Sequence, residues 1–246
     1  MPPAEESDKI EKPLSEKVAL VTGASSGLGR AFARALARAG ASVFLVARRE
    51  EMLKDAVAEI AAEGGEAAYH VADVRNVAAL YDLVDVLLAR YKRLHVLVNN
   101  AGLGWRAPLQ DLKRSQITEM LETNLAAPIY LTQAALDVLK RNAPSDVVNI
   151  ASVAGLKGYA EGTGYCAAKH GVVGFSRALA EELKGDGVRV TTICAASTAT
   201  EFYKRFRPTT EREKMLRPED VARALLDVLT SPPNVLYGEI VLRPRV

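Results

Sequence analysis

The 246-residue sequence predicts an α/β fold built on one doubly wound parallel sheet of about seven strands, flanked by helices. Three observations carry this expectation. Short apolar or β-branched runs alternate with helix-period patterns along the chain, which is the signature of βαβ units. Glycines stand where helices should stop, at Gly40, Gly64-Gly65 and Gly185. The length suits an undivided α/β domain, and an apolar fraction of 49% is ample for its core.

Taken in order, Val18–Val21 reads as the first strand and Arg30–Ala39 as the helix that follows it. Strand Ser42–Val46 precedes helix Glu50–Glu63, and strand Ala67–Val71 precedes helix Val77–Tyr91. Strand Val96–Asn99 leads into a long helical pattern from Ser115 to Arg141. Asp146–Ala151 is a strand before helix Tyr165–Gly185, Arg189–Cys194 a sixth, and Glu239–Leu242 a seventh after helix Pro218–Leu229. Right-handed crossovers covering both faces would place ligands at the carboxyl ends of these strands. No repeat or internal domain boundary is visible, so one domain is expected from residue 17 to 246. The polar, Pro-containing stretch Met1 to Glu16 reads as a loose arm.

Composition narrows the function classes. With 32 Lys and Arg against 30 Asp and Glu, the formal charge is only +2, which argues against a nucleic-acid footprint. Cys166 and Cys194 form no metal or disulfide spacing, and His70, His95 and His170 are scattered, so no metal site is expected. No secretory h-region and no uncharged apolar run of about 18 residues are present, and a soluble cytoplasmic protein without membrane contact is expected.

Two stretches carry chemistry. Tyr165 and Lys169 stand four apart at a helix start, which puts a phenol and an ammonium on one face. A nearby ammonium favours the phenolate and lowers a phenol pKa from about 10. Ser152 ends an apolar run where a strand would present its hydroxyl at the sheet's carboxyl edge. A hydroxyl donor beside an acid–base phenol can polarise a carbonyl and protonate it. The other stretch is Thr22-Gly23-Ala24-Ser25-Ser26-Gly27-Leu28-Gly29, between a strand and a helix. Glycines there let the backbone approach a pyrophosphate, and the helix N-terminus favours its charge.

These segments, with Asn99-Asn100-Ala101-Gly102 and Asn124, resemble the short-chain dehydrogenase/reductases in order and spacing from about Glu16 to Arg243. The resemblance implies a single-domain Rossmann fold, a nicotinamide cofactor and interconversion of a carbonyl and an alcohol. It implies that Gly23, Ser25, Ser26, Gly27, Leu28 and Gly29 cradle the cofactor. Asp73, with Val74, should meet the adenine edge, although Asp73 also reads as a turn or cap residue before Val77. The segment Asn99 to Gly102, with Asn99, Ala101 and Gly102, should pass its backbone near the adenosine ribose and hold the central strand. Lys169 is expected to hold the nicotinamide ribose and lower the Tyr165 pKa, and Asn124 to kink its helix and relay water to Lys169. Thr198 and Thr200 align with nicotinamide contacts. The family's Pro-Gly after the sixth strand is replaced by Ala195-Ala196, which puts the turn beneath nicotinamide in doubt.

After the second strand, Ala47 offers no carboxylate for a ribose 2′-hydroxyl, whereas Arg48 and Arg49 offer guanidinium forks suited to a 2′-phosphate. The expected cofactor is therefore NADP(H), with Arg48 as principal contact and Ser25 as a second; the alternative is a pair of solvated arginines. Residues 197–217 read either as a lid over the substrate or as an irregular solvated connection. They include Phe202, Tyr203, Lys204, Arg205, Phe206 and Arg207.

The leading reading is an NADP(H)-dependent oxidoreductase acting on a small carbonyl or secondary alcohol. The ending Tyr237 to Pro244 resembles members acting on hydroxy acids and similar polar substrates. The basic lid instead suits an acyl-carrier thioester, and a non-catalytic nucleotide-binding scaffold is the reading from another class. A homodimer or homotetramer is expected through the helices Ser115–Arg141 and Tyr165–Gly185. The candidates are Ala126, Ala127, Ala134, Ala135, Ala167, Ala168, Val172, Val173 and Phe175, which equally suit packing on the chain's own sheet.

Overall fold

The computed structural model describes residues 12–202 and 211–245. The strands are β1 (Val18–Thr22), β2 (Ser42–Ala47), β3 (Glu66–Val71), β4 (Val96–Asn99), β5 (Ser145–Ile150), β6 (Val188–Ala195) and β7 (Glu239–Leu242). All pair in parallel, in the order β3-β2-β1-β4-β5-β6-β7. Every residue of β1, β4 and β5 is buried, because helices cover both faces of the central sheet. The chain runs outward in opposite directions from β1 and from β4, so a crevice opens between their carboxyl ends.

Helices α1 (Gly27–Arg38) and α2 (Glu50–Ala62) share one face with Pro218–Leu229, here α7. Phe32, Leu36, Leu53 and Leu225 pack there at zero exposure with residues of β1, β2 and β6. Helices α3 (Val77–Tyr91), α5 (Ala127–Arg141) and α6 (Thr163–Glu182) bury Leu83, Leu131 and Leu179 on the other face. Truncating such a leucine to alanine costs roughly 2–5 kcal/mol.

The expected helix Ser115–Arg141 is two helices, α4 (Arg114–Leu121) and α5, joined by a π turn at Glu122–Ala126. Pro128 supplies the reason, since it has no N–H to donate to the carbonyl of Asn124 and its ring crowds that carbonyl. The Ala127 N–H reaches Glu122 O, one residue further back than in an α-helix.

The end of the expected loose arm is ordered. Leu14 is 3% exposed, and its N–H donates to Ala39 O at 2.9 Å. Gly40, at φ +100°, makes room for this strap: a Cβ there would lie 2.8 Å from that of Lys12. An apolar residue among charged neighbours was enough to anchor the segment, and residues 1–11 lie outside the described residues. Of the residues expected in a subunit interface, Ala127, Ala135, Ala168, Val172 and Val173 are buried within the single chain. No helix among the described residues is long and apolar enough to cross a membrane.

Candidate active site

One cavity of about 740 Å³ lies over the carboxyl ends of β1, β2, β4, β5 and β6. Its floor is the turn from Thr22 to Gly29. Gly23 has φ +66°, and a Cβ there would sit 2.9 Å from Ala101 Cα. A Cβ on Gly29 would lie 2.3 Å from Gly23 O and 2.6 Å from Asn100 Nδ2. Only glycine permits this approach of helix to turn. Thr22 binds the neighbouring strand to the turn: its Oγ1 accepts from the N–H groups of Asn100 at 3.0 Å and Ala101 at 2.9 Å. Asn100 returns a bond from Nδ2 to Thr22 O at 2.8 Å.

At the β2 end the wall consists of Ala47, Arg48, Arg49, Asp73 and Val74. Arg49 Nη2 donates to Ser25 Oγ at 2.8 Å and to Ser26 Oγ at 2.6 Å. Arg48 turns the other way and places Nη1 3.8 Å from the Asp73 carboxylate, with 59% of its side chain exposed. Asp73 is gripped more closely by Arg75, Nη2 to Oδ2 at 2.7 Å, and that guanidinium lowers the Asp73 pKa. The geometry therefore puts Arg49, not the sequence-favoured Arg48, beside Ser25 and the glycine turn. Nothing local distinguishes two adjacent arginines; the turn of the chain into α2 does.

Ser152, Tyr165 and Lys169 meet at the other end of the cavity. Ser152 caps the short 3₁₀ turn Val153–Gly155 by accepting from Ala154 N–H at 3.2 Å, and it is hydrogen-bonded to the Tyr165 phenol. Lys169 donates from Nζ to Ile150 O at 2.8 Å, with the ammonium 5.9 Å from the centre of the Tyr165 ring. Burial pushes the phenol up to about 12, against a lowering by Ser152. Burial also pulls Lys169 down to about 8. The expected lowering of Tyr165 by Lys169 is thus not seen in the protein alone, because desolvation outweighs it and the ammonium is turned to a carbonyl.

Asn124, buried in the π turn, clasps the loop after β4: its Oδ1 accepts from Leu103 N–H at 2.9 Å and its Nδ2 donates to Leu103 O at 2.7 Å. A Cβ on Gly102 would lie 2.8 Å from Asn124 Oδ1 and 3.7 Å from Lys169 Nζ, so all three converge. Thr123, beside it on the cavity wall, keeps a buried hydroxyl without a hydrogen-bond partner.

The Asn99 side chain lies in the core at the end of β4. Its Nδ2 donates to Thr132 Oγ1 at 3.0 Å and Asn149 Oδ1 at 2.8 Å, and Asn149 continues to Ser176 at 2.9 Å. It ties β4 to β5 and α5 inside the core, and Asn100, Ala101 and Gly102 are the members of that motif that line the cavity. The strand's alternation decides this, since successive side chains point to opposite faces.

Thr198 and Thr200 also line the cavity. Ala195 pairs with Leu242 in the sheet, and Ala196 N–H donates to Leu242 O at 2.9 Å. Positive φ among the described non-glycine residues is confined to Glu16, Lys92 and Glu161, so this turn asks nothing of alanine that alanine resists. Leu216 staples the following segment through Leu216 N–H to Ser197 O and Ala199 N–H to Leu216 O, both 2.9 Å. Tyr203, Lys204, Arg205, Phe206 and Arg207 of the expected lid lie outside the described residues. Two of the described histidines pack in the fold: His95 Nδ1 accepts from Val18 N–H at 3.0 Å, and His70 stacks on Phe44; His170 is exposed on α6, its Nδ1 2.8 Å from Cys166 O. No cluster of metal-ligating side chains occurs among the described residues.

A dinucleotide-type fold whose cavity joins a glycine turn to a Ser–Tyr–Lys constellation defines an oxidoreductase class, and comparison with known proteins gives the family. Residues 17–211 match the short chain dehydrogenase family, and the chain belongs to it. A candidate ketoacyl reductase of the monensin polyketide synthase of Streptomyces virginiae is 39% identical over 195 residues, covering 78% of this chain and 75% of that protein. An alcohol dehydrogenase from the archaeon Thermococcus sibiricus, complexed with 5-hydroxy-NADP, is 32% identical with a TM-score of 0.86, over 93% of this chain and 96% of that one. A point variant of the actinorhodin polyketide ketoreductase with NADPH is 32% identical with a TM-score of 0.85, over 94% and 97%. The chain is accordingly an oxidoreductase of the short-chain dehydrogenase/reductase type.

Proposed function

We propose that this protein interconverts a carbonyl and a secondary alcohol on a small molecule, using NADP(H). The observation that carries the reading is the meeting of Ser152, Tyr165 and Lys169 in the cavity that also holds the glycine turn and Arg49. The cofactor part is supported by the fit of the turn, where Gly23 and Gly29 leave room for backbone approach, and by the partnerless Thr123 hydroxyl on the wall. Arg49 and Arg48 at the end of β2, with no carboxylate at Ala47, favour a 2′-phosphate, and the archaeal and actinorhodin relatives carry NADP-type nucleotides. When bound, the nicotinamide nucleotide donates or accepts the hydride.

The chain's own residues do the rest. In reduction the neutral Tyr165 phenol donates its proton to the carbonyl oxygen while Ser152 O–H holds that oxygen. A phenol held near 12 is a competent donor at neutral pH and a reluctant base, so in the oxidative direction it needs the Lys169 charge turned towards it. Lys169 keeps that charge below about pH 8. Gly23, Ser25, Ser26, Gly27, Leu28 and Gly29 would seat the pyrophosphate at the start of α1, and Asp73 and Val74 the adenine. Thr198 and Thr200 would border the nicotinamide. Asn124 positions the loop at Leu103 and sits beside the Lys169 ammonium. The described flank of the expected lid borders the cavity at Ser197, Thr198, Thr200, Glu201 and Phe202.

The names of the monensin and actinorhodin relatives favour one second reading, reduction of a 3-oxoacyl thioester. The intact constellation speaks against a non-catalytic scaffold. The reading includes a homodimer or homotetramer through α5 and α6, where Tyr130, Ala167 and Gly174 remain exposed, and a cytoplasmic location. Light scattering of the purified protein checks the assembly. Tyr165→Phe tests the chemistry: turnover of a carbonyl with NADPH should fall by about 10²–10⁴-fold while NADPH binding is retained. A variant keeping more than about a tenth of the wild-type rate, with chemistry rate-limiting, refutes the role of Tyr165.

A further inference from the structure

At the Tyr165 end, the cavity wall beyond the reacting groups is aromatic. Trp105, Tyr159 and Phe202 line it together with Leu103 and Val153. Phe202 lies 5.9 Å from the Tyr165 ring, and the Tyr159 ring sits over Gly162, where a Cβ would come within 2.3 Å of it. Trp105 is the chain's single tryptophan, and it is clamped from both ends. Its backbone N–H donates to Met120 Sδ at 3.4 Å, and its indole Nε1 donates to Glu119 Oε2 at 3.1 Å. The other oxygen of Glu119 is held by Arg75 Nη1 at 3.5 Å, and Arg75 is itself locked onto Asp73. The carboxylate therefore cannot swing away without breaking an ion pair, so the indole plane is fixed before any substrate arrives.

The described charges at this end are already committed to other groups. The described ionisable lining consists of Lys169, committed to Ile150 O, and the carboxylates Glu119 and Glu201. Arg48 and Arg49 stand at the opposite end, beside the glycine turn. A substrate carboxylate would find no uncommitted cation among the described residues there, whereas a flat apolar ring would gain contact with three aromatic faces.

We propose that Trp105 is a specificity-determining residue for flat apolar ketones, aryl or alicyclic, and that Glu119 is the positioning residue that holds its indole in place. The proposal rests on the carbonyl–alcohol reading above and replaces the hydroxy-acid substrate suggested by the C-terminal sequence.

The test uses the full chain with NADP⁺, whose dead-end complex with a ketone cannot turn over, and reads the lone tryptophan's emission. 2-Tetralone should quench it saturably, and at least about tenfold tighter than 2-oxobutyrate, the equivalent of one favourable buried contact. With NADPH, Trp105→Ala should lower kcat/KM for 2-tetralone by about tenfold or more while NADPH affinity, measured by calorimetry, is retained. Glu119→Ala should shift the emission to the red, raise acrylamide quenching and raise KM for 2-tetralone about tenfold with a smaller change in kcat. Glu119→Gln, which can still accept the indole N–H, should restore most of the emission and KM. A preference for 2-oxobutyrate, no quenching by 2-tetralone, or an emission and KM unmoved in Glu119→Ala would overturn the proposal. Saturable quenching by 2-tetralone without any Tyr165-dependent turnover would instead sink the carbonyl–alcohol reading and leave the aromatic site standing.

Discussion

Arg49 is the more informative of the two arginines to remove. Its guanidinium already spans Ser25 and Ser26, at 2.8 and 2.6 Å, and a third acceptor at that fork would be a phosphate oxygen next to the glycine turn. A hydrogen bond to a charged group contributes about 1.5–3 kcal/mol, which is about 10- to 150-fold in affinity. Coulomb attraction alone would suggest about 4 kcal/mol at 4 Å with an effective dielectric constant of about 20, but an exposed guanidinium keeps only part of that. Arg49→Ala should therefore weaken NADPH about 10- to 150-fold and leave NADH within about twofold, because only NADPH carries the 2′-phosphate. Arg48 is already half answered by Asp73 at 3.8 Å and is largely exposed, so Arg48→Ala should cost NADPH less than about tenfold. Titration of both nucleotides by energy transfer from Trp105, on wild type and both variants, measures this. Equal wild-type affinity for NADH and NADPH, or an Arg49→Ala protein that keeps NADPH within about twofold, refutes the reasoning.

Three further outcomes follow from the geometry. Gly29→Ala drives a Cβ against Gly23 O at 2.3 Å, a backbone clash, and should cost about 1–3 kcal/mol of stability, read as a melting temperature lower by roughly 2–12 °C. His95, whose pKa burial pulls from 6.5 to about 4, must charge when the chain unfolds in acid. Its contribution is complete above about pH 6.5 and is lost as pH falls towards 4, up to about 3 kcal/mol. Urea midpoints of wild type and His95→Phe across that range should converge at low pH, and parallel curves would exclude the effect. Ala196→Gly should destabilise by roughly 0.4–1 kcal/mol and leave NADPH affinity no better, because the turn already uses a conformation that alanine accepts. Tighter binding in that variant would show that the turn is strained after all.

Much of this protein could be read before its structure. The strands and half of the helices stand within about two residues of where alternation and glycine stops put them. These are local properties: β4, β7, α3 and α7 have the expected ends because each is bounded by turn or capping residues within its own few positions. The family motifs were equally legible, since their chemistry depends on residue type at fixed spacing, and Ser152, Tyr165 and Lys169 do share one cavity.

What the sequence left open depends on residues distant along the chain. The break between α4 and α5 was signalled by Pro128, but only the π turn shows Asn124 brought against Leu103. Asn99 and Asn100 are indistinguishable in a string, and the pleat of β4 sends one into the core and the other to the cavity. The choice between Arg48 and Arg49 turns on where α2 begins relative to the Ser25–Ser26 turn, some two dozen residues away in sequence. Desolvation, which raises Tyr165 instead of lowering it, is a property of everything packed around the ring and of no neighbour in particular. The path from Asp73 through Arg75 and Glu119 to Trp105 joins four residues across the cavity. Sequence determined which chemical groups this protein owns and which local elements bear them. Tertiary packing alone decided which of those groups face one another, because burial and direction arise only when the elements close around a common core.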